Sequence, residues 1–505
     1  MNSTPFDVTT GQRQLFLDDV GIAYIENLSR TMHQPVKKGA VIRPDYYLGI
    51  SSHQVRTAPV WDPDEQVFKL LVHGKPDDIL IAASSYFESK DGLHWTKPSL
   101  GQVEYRDSGE NNCIHVDTGK YQMAPFMMVR DPNDPDPSRR FKGGAPFNRQ
   151  IDNQRTEHAV GFLVSPDGRN WKMLDGPSVR SSDEHNLSFD PIEKLFILTV
   201  KLGGTRPGRA VSLSTSRDFE HWTEPELIFE ADDLDQELGR ENIKARLADP
   251  RLLQPFQNDP GVYKVDVYNM GVFRYEGYYI GMPAMFHATG PVPNYPNTDG
   301  FHLIQLTCSR DLKTWQRLGD RKPFIGPSPV GSGAYDLTQM IGPSNAVVRG
   351  DELWFYYTGI KYRASWEYIG EYPNGEHIPL PGLDPDTGAI CLAVLRRDGF
   401  ISLDAGTQKG TMLTKPFLLD GSKLFVNVDA IPLNKGGRGL SFKGELGVEV
   451  LDEHGKILVV SAPVTGDSLR DQVDWQQGNL ADLKGQVVNL RFTLRNAKFY
   501  SYWLE

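Results

Sequence analysis

The residues best suited to chemistry are three aspartates, Asp183, Asp266 and Asp336, each placed just before a β-rich run. Two carboxyl groups that meet can hydrolyse a glycosidic bond, because one protonates the leaving oxygen while the other activates water or attacks carbon. Glu184 is adjacent to Asp183 and is an alternative to it. These acids are far apart in sequence, so they form one site only if the fold brings the starts of several strands together.

Polar and aromatic residues upstream of the same runs, or on nearby loops, suit the binding of a substrate rich in hydroxyl groups. These candidates are His53, Arg56, His185, Tyr268 and Trp366. Trp366 shares an aromatic stretch with Tyr362 and Tyr368, and such rings stack on the apolar face of a sugar. Ordinary packing is an equally good explanation for the histidines and for this aromatic stretch.

Motifs for other chemistries are absent from the sequence. It contains no G-x-S-x-G, H-E-x-x-H or G-x-x-x-x-G-K-[ST], and no G-x-G-x-x-G after a strand. The histidines are single and lack the spacing of metal ligands. The three cysteines are far apart, which indicates neither a disulfide framework nor a zinc site. We therefore expect no cofactor and no catalytic metal, and nothing indicates a structural calcium ion.

The elements that position the candidate residues follow a repeat. The pattern Ser-x-Asp-x-x-x-Trp occurs at Ser89–Trp95, Ser165–Trp171, Ser216–Trp222 and Ser309–Trp315. A degenerate fifth copy keeps Asp398 and lacks the tryptophan. Each copy lies between β-rich runs. It predicts a hairpin turn, because Asp bonds local backbone N–H groups and Gly accepts positive φ.

A second predicted hairpin precedes each copy, within 58–72, 123–144, 186–200, 269–283 and 342–359. Two hairpins make four strands, which is one blade of a β-propeller. Five units predict an all-β fold with a five-bladed β-propeller over residues 1–414, in which residues 1–45 close or cap the ring. The starts of the innermost strands then meet at one mouth of the channel, and three blades aim Asp183, Asp266 and Asp336 at it.

Two long segments, 231–262 and 287–300, interrupt the blades, and long loops on a rigid scaffold often carry function. The first contains a short polar stretch, 232–246, that suits a helix. From about residue 415 the pattern changes to alternating strands without the tryptophan motif. This tail predicts a C-terminal β-sandwich over 415–505. It is either a structural buttress or an accessory module that binds sugar.

Composition and net charge restrict the classes of molecule that the protein is expected to bind. The chain of 505 residues carries 54 Lys and Arg against 65 Asp and Glu, a net charge of −11. This balance disfavours nucleic acid, which needs a positive face. The sequence has neither a polybasic segment nor an apolar run long enough to cross a membrane. No signal peptide is visible, so we expect a cytoplasmic protein, or a secreted or periplasmic one if a signal was removed. The oligomeric state stays open.

These features resemble the five-bladed propeller glycosidases, namely the invertase-like family 32 and the arabinanase- and xylosidase-like family 43. The segments LFLDD (15–19), NLSRTMHQP (27–35), LFVNVDA (424–430) and VNLRFTLRNAKFYSYWLE (488–505) are similar to a less characterised bacterial group labelled family-32-like. The similarity covers nearly the whole chain. The family 32 motifs N-D-P-N-G and E-C are absent, and Arg130-Asp131-Pro132 lies in a turn dense in Pro and Asp.

The resemblance implies a glycoside hydrolase that cleaves a glycosidic bond in an oligo- or polysaccharide. We expect it to act from the chain end, as an exo-acting enzyme. Two alternatives stay open. A glycoside phosphorylase needs a cluster of cationic side chains that holds phosphate beside one acid. Arg56, His53 and Lys361 are suited to form that cluster. A non-catalytic carbohydrate-binding propeller needs aromatic and amide groups at its mouth and no convergent carboxylates. The sugar and its linkage are not predicted.

Overall fold

The structure is a computed structural model of the full chain. It describes residues 6–45, 49–76, 79–151, 155–292, 297–363, 384–430 and 443–505, with the strand segments 370–371, 377–378, 433–434 and 441–442. The N-terminal segment forms four strands: β1 (Gln14–Leu15), β2 (Ile22–Glu26), β3 (Ser29–Met32) and β4 (Val36–Ile42).

Five antiparallel sheets form the propeller. Blade one contains β5 (Val60–Asp62), β6 (Val67–Val72), β7 (Ser84–Ser89) and β8 (Cys113–Ile114). A small hairpin of β9 (Val116–Asp117) and β10 (Gln122–Met123) follows. Blade two contains β11 (Met127–Arg130), β12 (Phe141–Gln150), β13 (Thr156–Ser165) and β14 (Lys172–Arg180).

Blade three contains β15 (His185–Asp190), β16 (Leu195–Gly203), β17 (Arg209–Ser216) and β18 (Glu226–Phe229). The predicted polar helix follows as α1 (Asp233–Ala248). Blade four contains β19 (Lys264–Tyr275), β20 (Tyr278–Pro291), β21 (Thr298–Ile304), β22 (Thr307–Ser309) and β23 (Gln316–Arg317). The Asp232 side chain caps the helix by accepting the Asp235 N–H.

Blade five contains β24 (Gln339–Ile341), β25 (Val347–Arg349), β26 (Glu352–Ile360) and β29 (Gly388–Arg396), with β4 as its outer strand. A hairpin of β27 (Gly370–Glu371) and β28 (His377–Ile378) lies between β26 and β29 in sequence. The pairing of β4 with β29 joins the N-terminal segment to the last blade. The predicted all-β, five-bladed propeller is thereby confirmed.

The remaining strands form a β-sandwich. They are β30 (Ile401–Ala405), β31 (Gly410–Thr414), β32 (Phe417–Leu418), β33 (Leu424–Ala430), β34 (Leu433–Asn434), β35 (Ser441–Phe442), β36 (Glu445–Leu451), β37 (Ile457–Ser461), β38 (Gly466–Gln472), β39 (Trp475–Gln477), β40 (Val487–Arg495) and β41 (Ala497–Leu504). One sheet has the order β3-β30-β41-β33-β38, with β1 on β41, and the other has the order β2-β31-β40-β36-β37-β39, with β32 on β40. Phe492 of the second sheet and Phe499 of the first pack with ring centroids 4.8 Å apart, in the core between them.

The sandwich therefore draws on both ends of the chain. Strands β1 to β3, along with β30 and β31, pair with its sheets, whereas the sequence assigned residues 1–414 to the propeller. The alternation of apolar residues identifies a strand but not the sheet in which it pairs. Among the described strands of the N-terminal segment, β4 alone pairs with a propeller blade.

The four motif tryptophans occupy equivalent places, between the last two strands of blades one to four, as predicted. In each turn the Ser hydroxyl lies 3.0–3.1 Å from the Asp carboxylate. Each indole N–H donates to the backbone carbonyl three residues before it. Trp222 also stacks on Phe162 of blade two, with centroids 4.4 Å apart, so its ring joins neighbouring blades.

Replacing Trp222 with Ala is expected to lower the free energy of unfolding by about 2–3 kcal/mol, because a half-buried aromatic contact between blades is lost. Urea denaturation followed by fluorescence measures the change. Trp61, a ring 38% exposed, provides the matched control, and Trp61→Ala is expected to cost less than half as much. Equal losses for the two variants would contradict a joining role for the motif tryptophan.

The degenerate fifth copy has a different role. Asp398 has φ of 64° and is fully buried. Its carboxylate accepts hydrogen bonds from Arg13 (2.5 Å), Tyr275 (2.6 Å), Ser501 (2.6 Å) and Asn427 (3.2 Å). These partners come from the N-terminal segment, blade four and the sandwich. Asp398 is thus the centre of the joint between propeller and sandwich.

Candidate active site

A cavity of about 460 Å³ lies where the inner ends of blades one to four meet. Blade one contributes Gln54, Arg56 and His73 to its lining, and blade two contributes Phe126, Pro146, Phe147, Asn148, His158 and Ala159. The loop before β15 contributes Ser182, Asp183 and Glu184, and β19 contributes Tyr268. We call this cavity the mouth pocket. It contains three of the predicted site residues, Arg56, Asp183 and Tyr268.

Backbone pairing explains the position of Asp183. The Ser182 N–H donates to the Lys201 carbonyl and the Lys201 N–H donates to the Glu184 carbonyl, both at 2.9 Å. Two residues of the segment before β15 thus bond the same residue of β16, and Asp183 bulges out between them. Such bulges redirect a side chain, often next to active sites. The Asp183 side chain is 73% exposed, whereas its ion-pair partner Lys201, 2.5 Å away, is 7% exposed.

The ion pair between Asp183 and Lys201 affects the pKa of both side chains. Desolvation alone would raise the pKa of Asp183, but the charge of Lys201 and its hydrogen bond outweigh it, and the pKa is lowered. Burial lowers the pKa of Lys201, although Glu184 and Asp183 oppose that shift. Asp183 is therefore an ionised carboxylate at neutral pH, in contact with the cavity.

Glu184 and Arg56 form a two-point ion pair beside Asp183. Arg56 Nε lies 2.6 Å from one carboxylate oxygen of Glu184, and Nη2 lies 2.8 Å from the other. Arg56 also donates to the side chain of Gln54 at 3.0 Å and to the Val55 carbonyl at 3.2 Å. All three guanidinium nitrogens thus donate to protein groups, so Arg56 holds Glu184 in place rather than offering an empty guanidinium to a ligand.

Tyr268, the lining residue from β19, lies among cations. Lys201 Nζ is 4.5 Å from its ring centroid, and the guanidinium carbons of Arg363 and Arg209 are 5.6 and 5.9 Å away. Burial raises the pKa of the Tyr268 hydroxyl, and Glu184 adds to that shift. Among the described residues the hydroxyl has no hydrogen-bond partner. Tyr268 thus lines the mouth pocket with a hydroxyl that is protonated at neutral pH.

A buried polar network forms the floor. Asn186 donates to the Ser344 hydroxyl at 2.7 Å, and Ser344 donates to the Arg56 carbonyl at 2.6 Å. Asn269 donates to the Asn186 side chain at 3.1 Å. These contacts tie the inner strands of blades one, three, four and five together beneath Arg56, which makes the base of the pocket rigid.

The predicted convergence of three aspartates is wrong. Asp266 is 2% exposed and lies in a neighbouring cavity of about 180 Å³, paired with Arg209 at 3.0 Å and Lys264 at 3.7 Å. The loop before β17 covers it: Gly208, at φ 128°, packs so closely that an added Cβ would lie 3.0 Å from Asp266 Cβ. Asp266 is therefore not ringed by other acids, as the sequence had suggested.

Asp336 lies inside blade five. It is 2% exposed, pairs with Lys37 at 2.6 Å and accepts a hydrogen bond from Tyr357 at 2.8 Å. Lys37 belongs to β4 and Tyr357 to β26, so Asp336 ties the closing strand to its blade. The side chain does not line the mouth pocket.

The predicted ligand-binding histidines are buried beside the pocket rather than exposed in it. His53 is 0% and His185 is 1% exposed. Burial lowers the pKa of each to about 3, with Lys97 adding to the shift at His53 and Arg56 at His185. Both rings are therefore neutral, and they pack on Phe87 and Phe126, respectively. Trp366 lies outside the described residues.

The structure also shows site residues that the sequence did not single out. Lys201 ends the apolar run of β16, and a lone charge in such a run is a usable signal. His158 lines the pocket from β13, and its carbonyl accepts the Ser181 N–H at 3.1 Å, close to Asp183. Burial lowers the pKa of His73, another lining residue, to about 4, and Arg56 adds to that shift. Lys361, a candidate for phosphate, is paired with Asp384 and Asp386 and does not line the pocket.

Replacing Lys201 with Met is expected to move the acid limb of the kcat/KM profile to higher pH. Lys201 lowers the pKa of Asp183, so its removal raises that pKa, and the ionised form is then lost at a higher pH as pH falls. A pH profile on an identified substrate measures the shift. Lys201→Arg keeps the charge and is expected to leave the limb in place. An unmoved limb in Lys201→Met would contradict control of Asp183 by Lys201.

Within the described part of the chain, no group of three or more His, Cys, Asp or Glu side chains is placed to hold a metal ion. Its helices include none that is long and apolar enough to cross a membrane.

No protein-family model matches the sequence, and a comparison with curated proteins finds no match. Several solved structures are similar at low identity. An N-acetylgalactosamine deacetylase from F. plautii shares 14% identity, with a TM-score of 0.40 over 77% of this chain and 96% of that one. A Bombyx mori GH32 β-fructofuranosidase shares 10%, with a TM-score of 0.37 over 93% of each chain.

An α-L-arabinofuranosidase from Fusarium graminearum shares 11% identity, with a TM-score of 0.35 over 73% of this chain and 99% of that one. At these identities and TM-scores, the similarities assign no activity to this chain.

Proposed function

We propose that this protein hydrolyses a glycosidic bond of a carbohydrate bound in the mouth pocket, with Asp183 as the catalytic carboxylate. One observation carries the proposal: Asp183 is exposed to the cavity while the cation that keeps it ionised, Lys201, is buried behind it. A surface aspartate that serves only solubility needs no buried partner. Perturbed ionisable groups in a cavity are typical of functional sites.

The charge state of Asp183 defines its role. A carboxylate with a lowered pKa accepts protons poorly at rest and is unsuited to be the general acid. It suits the other role in glycoside hydrolysis, in which a carboxylate activates water or attacks the anomeric carbon. The Tyr268 hydroxyl is suited to donate a hydrogen bond to the sugar, and the Arg56–Glu184 pair holds the loop that carries Asp183.

The leaving oxygen also needs a proton. Both Glu184 oxygens accept hydrogen bonds from Arg56, so we assign the donor to His158, an exposed residue of the pocket lining and of the type that most often serves as a general acid. His158→Gln is expected to slow turnover of alkyl glycosides, whose leaving groups need protonation, about tenfold or more relative to nitrophenyl glycosides. Equal slowing of both classes, or of neither, would contradict this assignment.

The side chains suited to hold phosphate do not form one cluster, and this favours hydrolysis over phosphorolysis. Arg56 is occupied by Glu184, His53 is buried and neutral, and Lys361 is paired with acids elsewhere. A reducing-sugar screen over aryl glycosides and plant and marine oligosaccharides tests the proposal. We expect release that does not depend on inorganic phosphate. Release only with phosphate, or release of a sugar phosphate, would contradict hydrolysis.

A further inference from the structure

A second groove, of about 480 Å³, lies beside the mouth pocket on the outer part of blade two. One wall is the tip of the β9–β10 hairpin, with Asp117, Thr118, Lys120 and Tyr121. The other wall is the start of β14, and Trp171 lies between them. We call it the outer groove. Nothing in the proposed reaction uses it.

The floor of the outer groove is aromatic and its rim is polar. Tyr121, Trp171 and Met173 are half-buried, whereas Asp117, Lys120, Lys172 and Asp175 are exposed. No ion pair or hydrogen bond to another described residue is found for the side chains of Lys172 and Asp175. Aromatic rings that offer a face, surrounded by charged groups with spare hydrogen-bonding capacity, match the mixed apolar and hydroxyl surface of a sugar.

The hairpin tip is preorganised rather than a loose loop. The Gly119 N–H donates to the Asp117 carboxylate at 2.7 Å, and the Tyr121 N–H donates to the Thr118 hydroxyl at 3.0 Å. Lys120 Nζ lies 4.9 Å from the centroid of the Tyr121 ring. A wall held by local hydrogen bonds loses little conformational entropy when a ligand binds.

The outer groove lies next to the mouth pocket. Phe147 lines the mouth pocket, and its ring meets Tyr121 edge to face with centroids 5.3 Å apart. The two cavities are therefore separated by a ridge two aromatic rings thick. A chain of sugars that leaves the mouth pocket over Phe147 arrives at Tyr121 and then at Trp171.

We propose that the outer groove is a carbohydrate subsite that binds glycosyl units of the substrate beyond the unit next to Asp183. This inference rests on the proposed function, because it assigns the same substrate to both cavities. It predicts that the protein prefers oligosaccharides over single-unit glycosides, and that the preference depends on Tyr121.

Binding without turnover provides the test. Calorimetry measures the affinity of agaro-, arabino- and fructo-oligosaccharides of two to six units for the Asp183→Asn protein, with and without Tyr121→Ala. Loss of one stacking contact is expected to weaken binding of the longer members of one series about fivefold and to leave its dimer within twofold. Asp175→Ala leaves the ridge between the two cavities intact. Like Tyr121→Ala, it is expected to weaken the binding of the longer oligosaccharides and to leave the binding of the dimer unchanged. Tyr24→Ala, which removes a tyrosine 44% exposed on the sandwich, is the control and is expected to change nothing.

Affinity that does not rise with length, or that Tyr121→Ala and Asp175→Ala leave unchanged, would overturn the outer groove as a subsite while leaving the mouth pocket intact. Failure of the proposed function has a different signature. In that case neither the wild type nor Asp183→Asn binds any of the oligosaccharides, and the wild type releases no sugar from them, which overturns both proposals.

Discussion

Replacing Asp183 with Asn is expected to lower turnover of an identified glycoside by about 10²–10⁴-fold while the melting temperature changes little. Asn keeps the shape of the side chain but neither attacks carbon nor takes a proton from water. The thermal change is small because the side chain is 73% exposed and the Asn carbonyl oxygen can still accept a hydrogen bond from Lys201. Initial rates of reducing-sugar release and a thermal melt measure the two quantities on the same preparation.

Asp64 gives a matched control for this variant. Its side chain is 64% exposed and pairs with Arg140 at 2.9 Å, away from the mouth pocket. Asp64→Asn is expected to retain full turnover. If Asp183→Asn keeps wild-type turnover, or if both variants lose it together, Asp183 is not the catalytic carboxylate.

Replacing Asp398 with Ala is expected to lower the free energy of unfolding by about 3–5 kcal/mol, the cost typical of removing one partner of a buried ion pair. The change leaves the Arg13 guanidinium, about 90% buried at its side chain, without its 2.5 Å partner. It also removes the acceptor of the Tyr275, Ser501 and Asn427 side chains. Urea denaturation gives the free energy, with tryptophan fluorescence and far-ultraviolet circular dichroism as two probes.

Asp467 provides the comparison at the same joint. It pairs with Arg396 at 2.6 Å, but its side chain is 42% exposed. Asp467→Ala is expected to cost less than about 1 kcal/mol, as exposed pairs do. A loss at Asp398 as small as that at Asp467 would show that the joint is held by apolar packing and not by the buried carboxylate.

The propeller was predictable because its signal is local. The Ser, Asp and Trp of each motif interact within one turn of seven residues, so the sequence of that turn is enough to specify its geometry. Four copies at separate places then imply one repeated sheet. Asp398 resembles a decayed copy of the motif in the sequence, because nothing local indicates that its partners are Arg13 and Ser501, which are distant in sequence.

The origin of the sandwich strands was not predictable in the same way. β1 pairs with β41 across nearly the whole length of the chain, with Gln14 opposite Tyr502. An alternating pattern identifies β1 to β3 as strands. Their partners depend on which sheet edge remains unpaired when the rest of the chain has folded. The sequence therefore predicts the sandwich, but it assigns β1 to β3, β30 and β31 to the propeller.

For the site, the sequence identified the region and not the full set of side chains. Asp183, Arg56 and Tyr268 meet because they lie at the starts of inner strands, as the propeller predicts. Asp266 starts an inner strand too, but the loop around Gly208 covers it, and loop paths depend on tertiary packing. Lys201 was overlooked because its role comes from the bulge at Asp183 and not from a spacing in the sequence.

A crystal structure of Asp183→Asn with a bound oligosaccharide tests the central proposal most directly, since the variant binds without cleaving. We expect a glycosidic bond in the mouth pocket, with its anomeric carbon within about 3–3.5 Å of the substituted side chain at position 183 or of one bridging water, and a sugar hydroxyl on Tyr268. A sugar bound only elsewhere, for example beside Asp266 beneath the Gly208 loop with position 183 out of reach, would contradict it.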